Sequence, residues 1–137
     1  MVLSSSVYVR LLCVVAVVML SQVAACGGDD ARTQKAAKWL RDYSATNPPN
    51  GDWVTTSVKA DGPDRVVMDV LVPYKAQVDQ IKSRTKIEQS HIVYLACPPK
   101  DAEIWTMLDS GQTLWINLTG RGQNGLDEAL IGASCKH

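Results

Sequence analysis

Neither sign of charge prevails in this chain of 137 residues: 14 lysines and arginines stand against 14 aspartates and glutamates. A balanced chain has no electrostatic footprint for nucleic acid. Without a block of like charge it also has no polybasic patch for a membrane surface. Histidine is nearly missing, at two residues. His91 sits on the flank of an expected helix, and His137 is terminal, so no Ser/His/Asp set can be assembled. Paired carboxylates occur only at Asp29-Asp30 and Asp127-Glu128, in an expected tether and turn without the burial that raises a carboxyl pKa for acid work. Gly120 to Gly125 is glycine-rich, but no GK[ST] pattern follows it, so it is not a phosphate loop. Cys97, Cys135 and His137 lack CxxC spacing and are too few to hold a metal. The chain is therefore expected to be non-catalytic, with no metal and no dissociable cofactor.

A long apolar run is missing too. The most hydrophobic stretch, Leu11 to Leu20, holds ten residues, whereas crossing a bilayer takes about 20. Its setting explains it better. Met1 to Arg10 is polar with one cation, the apolar run follows, and Ser21 to Ala25 shrinks to small residues before Cys26. That is the three-part plan of a secretory signal. Val23-Ala24-Ala25-Cys26 resembles the lipobox of bacterial lipoproteins: an aliphatic residue, two small residues, then the cysteine. The resemblance covers only the leader and Cys26. It implies cleavage before Cys26, a thioether-linked diacylglyceryl group on that cysteine, and acylation of the new amino terminus. Two or more acyl chains make such an anchor stable. Gly27 stands where an aspartate would signal inner-membrane retention in enterobacterial lipoproteins, which leans towards the outer membrane, with the domain in the periplasm.

The expected organisation is a signal peptide over 1–25, a lipidated flexible tether over 26–32 spanning about 10 to 15 Å, and one globular domain over 33–137. Loss of Arg10 with the leader takes the basic count from 14 to 13 against 14 acidic residues, so the charge balance persists. Cys13 leaves with the leader and Cys26 takes lipid. Cys97 and Cys135 then remain as a pair in an oxidising setting where disulfides persist. Their bridge would close a loop worth roughly 3 to 4 kcal/mol in the chain-entropy treatment.

Periodicity supplies the elements. Ala36, Trp39, Leu40 and Tyr43 fall at i, i+3, i+4 and i+7 and predict a helix over 33–46, closed by the breakers Asn47-Pro48-Pro49-Asn50-Gly51. Residues 53–60 and 65–72 alternate and predict a hairpin across Asp61-Gly62-Pro63-Asp64. A helical region over 74–96 has a polar middle near Ser83 to Lys86 that favours two helices. Cys97-Pro98-Pro99 stops it, and a short helix follows over 101–109. Strands 112–119 and 126–135 flank a turn with an Asn-Gly signal. The expectation is a small α+β domain: four antiparallel strands in two hairpins, covered by helices on one face.

With catalysis set aside, surface remains. Trp53, Trp115 and Asn117 are candidates for the less covered face of the sheet, where exposed aromatics mark contacts, and an edge strand offers itself for pairing. The expected function is a membrane-anchored lipoprotein that binds an envelope protein as an accessory or pilot subunit of a secretion or outer-membrane assembly. The alternative is a periplasmic inhibitor or small-ligand-binding lipoprotein. Cys26→Ser should abolish palmitate incorporation in cells; labelling equal to that of the parent chain would remove the anchor.

Overall fold

Helix, hairpin, helices and hairpin follow one another in the computed structural model, which describes residues 28–135. The leader over 1–25 and the lipidation candidate Cys26 lie outside the described residues. The first helix, α1 (Gly28–Thr46), starts before Thr33, so the described part of the expected tether is helical. Asp30 in its first turn suits the positive end of the helix dipole. Thr33, where the sequence pattern places the start of the helix, is fully buried within it. Its hydroxyl lies 3.1 Å from the Asp30 carbonyl and 3.0 Å from the Gly62 carbonyl in the loop of the first hairpin. The buried stripe of α1 is Thr33, Ala36, Ala37, Leu40 and Ser44. Trp39 and Tyr43 stack on each other at its border, with centroids 4.8 Å apart. The helix ends at Thr46, and a 3-10 turn, Pro49–Gly51, follows with Asn50 in the left-handed region at φ 48°.

Four strands form one sheet in the order β1-β2-β3-β4: β1 (Val54–Ala60), β2 (Arg65–Val72), β3 (Thr113–Arg121) and β4 (Asp127–Cys135). Both expected hairpins are antiparallel. The all-antiparallel expectation fails at the centre: β2 and β3 run parallel, with Arg65 opposite Thr113 and Val72 opposite Gly120. A parallel pair needs a crossover of a dozen or more residues, and the segment between Val72 and Thr113 is long enough to supply one. It carries α2 (Lys75–Lys82), α3 (Lys86–Val93), a 3-10 turn (Tyr94–Ala96) and α4 (Ile104–Met107). The expected joint between two helices falls at Ser83–Thr85. There the Thr85 amide donates to Glu88 Oε2 at 2.9 Å and the Glu88 amide donates back to Thr85 Oγ1 at 3.3 Å, a capping box. That first bond, more than any other contact, holds the Glu88 carboxyl below its ordinary value.

The helices meet the sheet through one apolar cluster. Val66, Met68, Val70 and Val72 of β2 and Leu114, Ile116 and Leu118 of β3 face Ala36, Leu40, Val78, Ile81, Val93 and Ile104. Gly120 makes this approach possible, because a Cβ there would lie 2.7 Å from a methyl group of Val78. Cys97, directly after the 3-10 turn Tyr94–Ala96, forms the expected disulfide with Cys135, the last residue of β4. The bridge spans 38 residues of sequence. Replacing both cysteines by alanine should lower unfolding free energy by about 3 to 4 kcal/mol, read by urea denaturation. A double variant as stable as the parent would contradict a structural role for the bridge.

Candidate partner-binding face

On a one-sided sheet, alternate residues of each strand point away from the helices, and here they align in rows across all four strands. Ser57, Asp69, Asn117 and Gly132 are successive register partners from β1 to β4. Lys59, Val67, Trp115 and Ser134 form the neighbouring row in the same way. Val67 and Leu71 of the central strand β2 are buried yet lie outside the main core cluster. Asp69 interrupts them as the one charge within an otherwise apolar strand interior.

The polar row is tied end to end. Ser57 Oγ donates to Asp69 Oδ2 at 2.6 Å, and Asn117 Nδ2 donates to Asp69 Oδ1 at 2.8 Å. Trp115 Nε1 donates in turn to Asn117 Oδ1 at 2.8 Å. Partial burial pushes the Asp69 carboxyl up, but the bonds from Ser57 and Asn117 and the charge of Lys59 outweigh it and hold the group below its ordinary value. Gly132 completes the arrangement from β4. A Cβ there would lie 2.7 Å from Asn117 Oδ1 and 2.8 Å from Trp115 Nε1, so the indole edge and the amide occupy space that only glycine leaves open. The result is a fixed patch of half-buried tryptophan, amide, carboxylate and hydroxyl on one face of the sheet. Such a surface suits recognition by contact.

Of the three residues expected on this face, Trp115 and Asn117 are there and bonded to each other. Trp53 is not. It precedes β1, is 2% exposed, belongs to the helix-side core and donates through Nε1 to Gln77 Oε1 of α2 at 2.9 Å. Asp69, Ser57 and Gly132 went unread as a group, although a lone aspartate inside the run Val66–Val72 was a visible signal. The edge-strand expectation also changes in detail: Arg41 of α1 donates to the Val58 carbonyl of β1 at 2.9 Å, which occupies one acceptor on that strand.

Concavities lie on the helical side of the described residues. A cleft of about 600 Å³ runs between α2 and the β3–β4 turn, but its cations are paired, Lys75 with Asp79, Lys82 with Glu128 and Arg121 with Asp127. A groove of about 390 Å³ is lined by Trp53, Ile81, Ile92 and Leu95 with Arg84, Glu88 and His91 at its polar side. Leu95 and Asn50 also border a smaller hollow with Tyr43 and Pro99. Among the described residues, no group of His, Cys, Asp and Glu side chains is placed to hold a metal ion, and no helix is long and apolar enough to cross a membrane. Comparison with protein families, with curated proteins and with solved structures finds no match for this chain.

Two substitutions probe the face. Gly132→Ala should displace Trp115 and cost about 1 to 3 kcal/mol, with a change in tryptophan emission; an unchanged spectrum and stability would contradict the close fit. Asp69 has its pKa lowered in the folded chain, so its charge adds stability that is present above the unfolded value of about 3.9 and lost as pH falls through the folded value. Asp69→Asn should therefore flatten the loss of stability below about pH 4. A variant curve parallel to that of the parent there would contradict the assignment.

Proposed function

We propose that this chain is a lipid-anchored, non-catalytic module that binds a protein partner in the bacterial envelope, as an accessory or pilot subunit of an envelope or secretion assembly. The observation that carries the reading is the uncovered sheet face, where Trp115, Asn117, Asp69 and Ser57 are held in one hydrogen-bonded array. Two sequence features support it. Val23-Ala24-Ala25-Cys26 has the form of a lipobox, and the bridge between Cys97 and Cys135 is of the kind that persists in an oxidising compartment. Acyl chains on Cys26 would confine the module to a membrane surface, the outer membrane on the evidence of Gly27. Confinement raises the effective concentration for a partner at that surface, so modest affinity suffices. Rigid aromatic and amide groups on a preformed face lose little conformational freedom on binding, which favours them as contact residues.

The rival reading, an inhibitor or small-ligand-binding lipoprotein, has one observation in its favour. The groove beside Trp53 and Leu95 lies within the volume range of small-molecule sites. Native mass spectrometry of the protein purified from its own envelope would reveal a retained ligand there.

The partner reading is tested by photo-crosslinking in the native envelope. A photoreactive residue in place of Lys59, exposed on the uncovered face, should capture one protein that the same residue in place of Lys35, exposed on α1, does not. Equal capture at both positions, or none at position 59, would contradict the proposal.

A further inference from the structure

α1 begins at Gly28, just after the lipidation candidate Cys26 in the sequence. Only two peptide units separate Cys26 from Gly28, and they reach at most about 7 Å. From Gly28 to Thr33 the chain is helical, which adds about 7 Å along the axis. At Thr33 the helix is fastened to the body: the side chain is fully buried and lies 3.0 Å from the Gly62 carbonyl. One residue earlier, Arg32 pairs with Asp109 in the turn after α4. The rim that receives these contacts is itself cross-linked. Gln112 Nε2 donates to the Pro63 carbonyl at 2.7 Å, and the Thr113 amide donates to the Asp64 carbonyl at 2.8 Å.

We propose that the first turn of α1 is a stiff stalk that fixes how the domain meets its membrane. This rests on acylation of Cys26. The rim formed by 61–64 and 109–112 is held within about 15 Å of the lipid-bearing residue. The strands β2 and β3 both rise from this rim, because Arg65 and Thr113 start them side by side. Eight residues of β2 carry the chain about 26 Å further. The opposite end, with the turn over 122–125, therefore reaches up to about 40 Å from the lipid. Asp69 and Asn117 lie midway, so the uncovered face is presented alongside the membrane, within about 30 Å of the anchor. The partner is accordingly a protein that projects from, or lies close to, the same membrane surface. Charge does not hold the rim down. Asp30, Arg32, Asp61, Asp64, Arg65 and Asp109 leave an acidic surplus there, which anionic headgroups repel.

The test uses the acylated, disulfide-bonded protein on vesicles containing lipids with a headgroup spin label. A fluorophore is attached to a single added cysteine, in Asp64→Cys for the rim or Gln123→Cys for the opposite end. Quenching should be several-fold stronger at position 64, in neutral and anionic vesicles alike. A flexible Gly/Ser insert between Gly27 and Gly28 should erase most of the difference. Equal quenching of the two labels on protein that sediments with the vesicles would overturn the stalk and leave the anchor standing. Failure of the purified, cell-expressed protein to sediment with vesicles at all would overturn the anchor, and the stalk with it.

Discussion

Two antiparallel hairpins become one sheet here through a single parallel pairing, that of β2 with β3, eight residues in register. The pairing dictates much of the rest. The chain has to travel back to the start of the sheet before β3 can begin, and it does so through α2, α3 and α4. These helices pack with α1 against one apolar cluster. Among the described residues, the opposite face is left without a layer. Gly120 admits Val78 on the covered side, and Gly132 admits Trp115 and Asn117 on the uncovered side. The disulfide then links the crossover, just after its 3-10 turn and before α4, to the final residue of the edge strand β4.

An uncovered sheet face has to be made compatible with water without losing its register. A wholly polar face would leave β2 without apolar cover, and a wholly apolar one would invite aggregation. Here Val67 and Leu71 are shielded by their neighbours, and the middle row is a chain of side-chain hydrogen bonds from Ser57 to Trp115. Each polar group in that row is paired, which avoids the cost of a desolvated, unpartnered carboxylate. Among the described residues no buried side-chain nitrogen or oxygen lacks a partner. Prearranged groups of this kind give a partner a defined pattern to match.

Local patterns carried most of the fold. The alternation in 65–72, the breakers around Pro48 and Pro49, and the polar joint before Thr85 all mark real boundaries, because each reflects chemistry within a few residues. Strand order is different: it is decided by which apolar faces meet after a long connection, and nothing near Val72 or Thr113 announces it. One clue was present. The run Val66-Val67-Met68-Asp69-Val70-Leu71-Val72 is apolar on both phases, as a central strand requires. Trp53 was misplaced because the register shifts between Thr55 and Ser57: this bulge puts Trp53 and Thr55 on the covered side, although an unbroken alternation would place them with Ser57 on the other face. Its indole turns to Gln77 and the core. The row from Ser57 to Gly132 was invisible for the same reason as the strand order, since it draws one residue from each of four strands. Lipidation at Cys26 stands on the motif alone, outside the described residues.

The central claim is that the Trp115 face is open in the isolated domain and occupied in the envelope, whereas Trp53 is core in both settings. Hydroxyl-radical footprinting reads this directly, with oxidation of each tryptophan quantified in purified protein and in intact envelopes. Trp115 should be oxidised in the purified chain and protected several-fold in envelopes, with Trp53 unreactive in both. Equal oxidation of Trp115 in the two preparations would contradict the claim.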